Sequence, residues 1–131
     1  MAAVESYPDD LKYHPEHDWA RIDGEDAVLG ITWFAADALG ELVHFEPPEP
    51  GATVVRDESY GEVESVKAVS DLIAPLSGEV LEVNQRVVDA PETVNEDPYG
   101  AGWLIRIRLS DPSEVGALLD LDGYQQVLAE Q

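Results

Sequence analysis

Chemistry that needs a primary amine has two possible positions in this chain, because lysine occurs only at Lys12 and Lys67. Lys67 lies between two apolar, strand-like segments, one ending near Val63 and one beginning near Leu72, so we expect it at the tip of a hairpin. An amine at such a tip is accessible to an enzyme that delivers an activated acyl group. An ordinary solvated turn lysine occupies the same kind of position, so the turn alone does not decide the function.

The other reactive side chains form no recognisable catalytic or metal-binding pattern. The histidines lack metal-site spacing and are interpreted as structural. They are His14, His17 and His44. The serines around Lys67 have no histidine at a familiar motif spacing, so no hydrolase triad is predicted. They are Ser59, Ser65, Ser70 and Ser77. Cysteine is absent, which excludes disulfides and leaves any sulfur redox chemistry to a cofactor.

The charge balance narrows the classes of partner. Twenty-eight acidic and seven basic residues give a formal net charge of -21, which repels nucleic acid and anionic membranes. The simplest interpretation of this acidity is solubility, including in a salt-rich cytoplasm that screens like charges. The sequence shows neither a membrane-spanning apolar run nor a signal-peptide pattern, so we expect a cytoplasmic protein. The 131 residues suit a single domain over residues 1–131.

Short apolar segments separated by turn residues predict a mainly β fold around Lys67. Asp23-Gly24 predicts the turn of a hairpin. Thr32 is expected to cap a short helix through Leu39, which Gly40 ends. Further strands are predicted in ELVHFE, TVV, SYGEV, LIAPLSGEVLEV and WLIRIRL.

The C-terminal part of the chain predicts two short helices that cover one end of the sheet. Asp111 provides an N-cap and Pro112 occupies the first helical position. Val115, Leu118 and Leu119 share one face. After an expected break at Gly123, apolar residues repeat the helical spacing. They are Tyr124, Val127 and Leu128.

Several separated motifs resemble one known family. The segment ESVKAVSD followed by APLSGEV, which contains Lys67, is similar to the lipoylation segment of the glycine cleavage H protein. The resemblance runs from about Leu11 to Tyr124, the expected core of the domain. Its other motifs are YHPEHDW, GIT, LGELV, PPEPG and ETVNEDPYGAGWL. Glu64-Ser65-Val66-Lys67-Ala68 differs from the DKA turn of 2-oxo acid dehydrogenase lipoyl domains and from the MKM turn of biotinyl domains.

The chain departs from the family pattern at three positions. The family often has Asp where this chain has Glu41, and Glu where it has Asp18, so both positions keep a carboxylate. Ala36 stands where the family often has Gln, which puts any role of that amide in doubt. None of these positions lies in the lysine turn.

The resemblance implies a barrel-sandwich hybrid fold with short peripheral and C-terminal helices, and a carrier without catalysis of its own. Lipoic acid would be attached covalently to Lys67 by a lipoyl or octanoyl transferase or a lipoate ligase. The arm would take an aminomethyl group from a pyridoxal-phosphate glycine decarboxylase to a tetrahydrofolate-dependent aminomethyltransferase. Dihydrolipoamide dehydrogenase would then reoxidise the dithiol.

Further roles are predicted for residues near the turn. Glu64, Ser65 and Asp71 are expected to help the modifying enzyme recognise the turn, with exposed carboxylates contributing little to stability. Asp18 and Asp71 are expected to form a cleft that faces the cationic end of the loaded arm. Two alternatives stay open: an H-like protein that relays lipoyl groups to other complexes, and an acidic binding module without lipoate.

Overall fold

A computed structural model describes residues 3–131, whose strands form two antiparallel sheets. The strands are β1 (Lys12–His14), β2 (Asp18–Asp23), β3 (Asp26–Ile31), β4 (Leu42–Glu46), β5 (Thr53–Val54), β6 (Ser59–Ser65), β7 (Val69–Ile73), β8 (Gly78–Val83) and β9 (Ile105–Leu109). The helices are α1 (Trp33–Leu39), α2 (Gln85–Asp89), α3 (Thr93–Glu96), a 3₁₀ helix (Pro112–Ala117) and α4 (Leu121–Ala129). The predicted mainly β fold with short helices is confirmed.

The larger sheet has the strand order β1-β2-β3-β9-β8-β5, and the smaller has the order β4-β6-β7. Several of their strands, such as β6, β8 and β9, alternate buried with more exposed residues, as antiparallel strands with one covered face do. In β6, Tyr60 and Val63 are buried whereas Glu62 and Glu64 are exposed. The main core includes residues of both sheets and of α1, among them Leu29, Phe45, Val63, Leu72 and Ile107.

A second cluster attaches the C-terminal helix to β1 and β2. The Tyr124 ring stacks on Tyr13 with centroids 4.6 Å apart, and Trp19 is completely buried beside them. The expected helix break at Gly123 is wrong, because the Asp120 side chain accepts a hydrogen bond from the Gly123 amide and caps α4. Gly123 therefore lies within the first turn of that helix.

The hairpin at Asp23-Gly24 and the short helix after Thr32 are confirmed. The Thr32 hydroxyl accepts from the Ala35 amide, and Gly40 ends α1 with a φ of 85°, which favours glycine. Three short elements were not predicted: β1, α2 and α3. Each is five residues or shorter, so too few positions exist to show a period.

No helix within residues 3–131 is long and apolar enough to span a bilayer.

Gly30 provides space for the Trp19 indole, which lies across it on the neighbouring strand. A Cβ at Gly30 would lie 2.4 Å from Cζ2 of Trp19, whose Nε1 is fixed by a hydrogen bond to the Pro98 carbonyl. We expect Gly30→Ala to lower the free energy of unfolding by roughly 1–3 kcal/mol, because the buried ring has nowhere to move. Urea unfolding measures the change.

The matched control is Gly116→Ala, since a Cβ at Gly116 meets nothing within 4 Å. We expect its unfolding midpoint to stay close to that of the wild type. Equal unfolding midpoints for the two variants would contradict the packing role of Gly30.

Candidate functional site

Lys67 is exposed at the middle of a three-residue turn between β6 and β7. The strands extend closer to the lysine than expected, to Ser65 on one side and from Val69 on the other. The turn that contains Lys67 is therefore shorter than the sequence predicts. None of the ion pairs among the described residues includes Lys67, so its charge is presented to the solvent.

The side chain of Ser65 closes this turn from the inside. Its Oγ accepts hydrogen bonds from the backbone amides of Lys67 at 3.2 Å and Ala68 at 3.1 Å. The Ser65 amide also donates to the Ala68 carbonyl at 2.8 Å. Because the Lys67 and Ala68 amides both point inward to the Ser65 oxygen, the Lys67 side chain points outward and lies at the surface.

Ser65 is predicted, with Glu64 and Asp71, to help the modifying enzyme recognise the turn. Ser65 is only 5% exposed, and its hydroxyl is engaged with the turn backbone. It is therefore a positioning residue for Lys67 rather than a contact for another protein. Glu64 and Asp71, by contrast, are exposed on the outer face of the hairpin, where a partner can reach them.

The end of α1 supports the lysine stem. An ideal Cβ at Gly40 would lie 3.4 Å from the Lys67 Cε, so the stem passes close to the backbone where the helix ends. Asn95 holds this region in place by donating to the Gly40 carbonyl and accepting from the Leu42 amide. The sequence signals Gly40 only as a helix stop and Asn95 only as part of a motif, so neither contact was predicted.

Asp18 and Asp71 do not form an open pair of carboxylates. Asp71 is exposed, but Asp18 is only 2% exposed, and its Oδ1 is buried without a hydrogen-bond partner. Burial raises the pKa of Asp18 well above its ordinary value, and the charge of Glu16 adds to this effect. The predicted acidic cleft is therefore wrong for Asp18 in this conformation, because other side chains cover its carboxylate.

Tyr60 shares the surroundings of Asp18. Its hydroxyl is also buried without a partner, and its pKa is raised well above its ordinary value by burial and then by the charge of Asp18. Two neighbouring polar groups without partners are unfavourable inside a core. Asp18 on β2 and Tyr60 on β6 therefore lower the stability of the fold.

A surface cavity of about 250 Å³ is lined in part by Gly40, the residue beside the Lys67 stem. Its lining includes Trp33, Ala36 and several carboxylates. Neither Asp18 nor Asp71 lines it, so it does not restore the predicted cleft.

Each histidine has a side-chain hydrogen-bond partner. His14 Nε2 donates to Asp57 at 2.7 Å, and this bond lowers the pKa of the Asp57 carboxyl. His17 Nδ1 lies 2.8 Å from the Tyr124 hydroxyl. His44 Nε2 donates to Glu46 at 3.0 Å on the exposed face of β4.

Comparison with known proteins gives one consistent result. The family model described as glycine cleavage H-protein matches residues 11–131. The glycine cleavage system H protein of Symbiobacterium thermophilum is 49% identical over 94% of this chain and 96% of its own length. That of Halorhodospira halophila is 49% identical over 95% and 96% respectively.

A solved structure agrees with the sequence relatives. The crystal structure of a glycine cleavage system H protein from Mycobacterium marinum has 45% sequence identity and a TM-score of 0.87. The match covers 94% of this chain and 99% of that one. The similarity therefore extends over nearly the whole chain, including the lysine turn.

We expect Ser65→Ala to loosen the lysine turn, because the Lys67 and Ala68 amides lose their acceptor. The free energy of unfolding should fall by about 1 kcal/mol. The hydrogens of the two amides should exchange with solvent faster than in the wild type. Hydrogen exchange by NMR measures both sites. Ser70→Ala is the control, because the Ser70 hydroxyl bonds only the neighbouring Asp71 carbonyl. Unchanged exchange at both amides would contradict the positioning role.

We expect Asp18→Asn to stabilise the protein increasingly as the pH rises. The folded state raises the pKa of Asp18, so Asp18 keeps its proton there while the unfolded chain ionises. The contribution of the Asp18 carboxyl to the free energy of unfolding is fully present at low pH and decreases as the pH rises above about 4. Melting curves between about pH 4.5 and pH 8 should therefore show a growing advantage for Asp18→Asn.

Asp26→Asn provides a control of opposite sign. Hydrogen bonding by Arg108 lowers the pKa of Asp26, so its contribution is present at neutral pH and is lost as the pH falls. Because this loss occurs below about pH 4, the destabilisation by Asp26→Asn should be nearly constant between about pH 4.5 and pH 8. A melting difference for Asp18→Asn that does not change with pH would refute the burial argument.

Proposed function

Because this chain belongs to the glycine cleavage H-protein family, we propose that it is a lipoyl carrier whose arm is attached at Lys67. The observation that carries the proposal is the display of a single exposed amine at a hydrogen-bonded hairpin tip. The other lysine, Lys12, lies in β1, where its neighbour Tyr13 is completely buried.

The residues at the tip fit covalent attachment of lipoic acid. Lys67 supplies a primary amine with no fixed ion-pair partner among the described residues, and Gly40 leaves room beside its stem. After losing a proton, Nζ attacks the carbonyl carbon of an activated lipoyl or octanoyl group. The amide bond forms as the bond from that carbon to its leaving group breaks. When attached, the lipoyl group supplies the redox-active disulfide that a chain without cysteine lacks.

The chain's own contribution is to present and guide the arm. The Ser65 hydroxyl keeps Lys67 at the tip, and the two sheets behind it give a rigid base. Asp71 is the carboxylate we propose for contact with a cationic arm end, because it is exposed four residues after the lysine. Asp18 can take this role only if the residues that cover it move.

The proposed partners are those of the glycine cleavage system. They are the pyridoxal-phosphate glycine decarboxylase, the aminomethyltransferase and dihydrolipoamide dehydrogenase, besides the enzyme that attaches the arm. In this proposal the chain works in the cytoplasm and catalyses no step itself. The exposed acidic residues suit partners that bind and release a carrier repeatedly. Electrostatic attraction to such partners raises association rates more than it slows dissociation.

We expect lipoylation at Lys67 alone. After incubation with a lipoate ligase, lipoate and ATP, intact mass should show one added lipoyl group, and Glu-C peptide mapping should place it on Lys67. Lys67→Arg should abolish the addition with little change in melting temperature, since arginine keeps the charge but offers no acylatable amine.

Lys12→Arg is the matched control and should be lipoylated at the wild-type rate. A lipoyl group on Lys12, or an unmodified wild-type chain with a ligase that modifies another carrier, would contradict the proposal.

A further inference from the structure

Three exposed valines lie at the end of the smaller sheet that carries Lys67. Among residues 3–131, seven large apolar side chains are exposed, and Val43, Val66 and Val69 are three of them. Val66 is 77% exposed and Val69 is 61% exposed, on either side of the lysine. Val43 is 48% exposed at the irregularity in β4, beside the Ser65 end of β6. We call these three residues the valine patch.

The fold itself does not account for the valine patch. The turn is held by the Ser65 hydroxyl, and its sharp bend favours small or polar residues over a β-branched one. Isolated exposed apolar residues are ordinary, but a group of them around one reactive amine indicates contact with another molecule.

Carboxylates lie beside the valine patch on the outer face of the same sheet. In register, Glu62 lies opposite Glu46 on one side and Asp71 on the other, and all three are exposed. The next row contains Glu64 opposite Val69. Like charges directly opposite one another weaken a sheet. A partner with Lys or Arg side chains around an apolar centre would relieve this repulsion when it covers the face.

The position of the valine patch distinguishes among the possible partners. Val66 and Val69 are within two residues of the amine that becomes acylated. The decarboxylase, the aminomethyltransferase and the dehydrogenase act at the far end of the arm, a whole lipoyl chain away. Only the enzyme that attaches the arm must bring its active site to Nζ itself. A surface in contact with the lysine turn is therefore best suited to that enzyme.

We propose that the valine patch and its carboxylate rim are the docking surface for the enzyme that transfers a lipoyl or octanoyl group to Lys67. This inference rests on the proposed lipoylation of Lys67. The enzyme contacts the patch with apolar side chains next to its acyl-group channel and faces the rim with cationic ones. The valines therefore contribute to binding of the unmodified carrier and not to the acyl-transfer step.

The test is the double variant Val66→Thr, Val69→Thr in steady-state lipoylation by a purified lipoate ligase with lipoate and ATP. Threonine keeps β-branching, so the exposed substitutions should leave the melting temperature nearly unchanged. We expect KM for the carrier to rise roughly five-fold or more, with kcat unchanged, because apolar contact area is lost at binding. Higher salt should raise KM for the wild type as it screens the rim.

Val55→Thr is the matched control. Val55 is 45% exposed and precedes β6, at the end of that strand opposite to Lys67. The KM of the ligase for the Val55→Thr carrier should equal its KM for the wild type. A second readout is the rate at which dihydrolipoamide dehydrogenase reoxidises the lipoylated double variant, which should also match the wild type.

Three outcomes would decide against the inference. A folded double variant that is lipoylated with wild-type KM overturns the docking surface and leaves the proposed function intact. Normal lipoylation with slower reoxidation assigns the valine patch to the other partner and also overturns it. A wild-type chain that accepts no lipoyl group removes the proposed function and the inference together.

Discussion

Closure of the β6–β7 turn by the Ser65 hydroxyl is the interaction on which the display of Lys67 depends. Two backbone amides point inward to one buried oxygen, and the lysine between them points outward as a consequence. The turn is short because both strands pair up to it, so the amine sits on a sheet rather than on a loose loop. A carrier residue needs both properties, since it must be reachable and must return to the same position for each partner.

The carboxyl groups of this protein occupy two physically different environments. Most of its carboxylates are exposed, where water and salt screen them, and rows such as Glu46, Glu62 and Asp71 lower stability to create an acidic face. Asp18 is different, because it is buried with an unpaired oxygen and favours its neutral form. The two packed clusters, with Trp19 and Tyr124 in the smaller one, offset both costs.

Local signals predicted the elements that are set by local chemistry. The Thr32 cap, the Gly40 stop and the Asp23-Gly24 turn each depend on one or two neighbouring residues, and Lys67 was placed correctly between two strands. Contacts between distant parts of the chain were missed, such as that of Gly40 with Lys67, because no sequence period encodes them. The burial of Ser65 and Asp18 was not predicted for the same reason, since burial is decided by what packs above a residue.

Glycine-dependent release of carbon dioxide tests the central claim, that this chain is the lipoyl carrier of glycine cleavage, more directly than any other measurement. The lipoylated chain is mixed with glycine and a pyridoxal-phosphate glycine decarboxylase whose activity has been verified with an H protein from another source. Release should saturate with the lipoylated chain and be absent with the unmodified one. No release from a fully lipoylated, folded chain would contradict the claim.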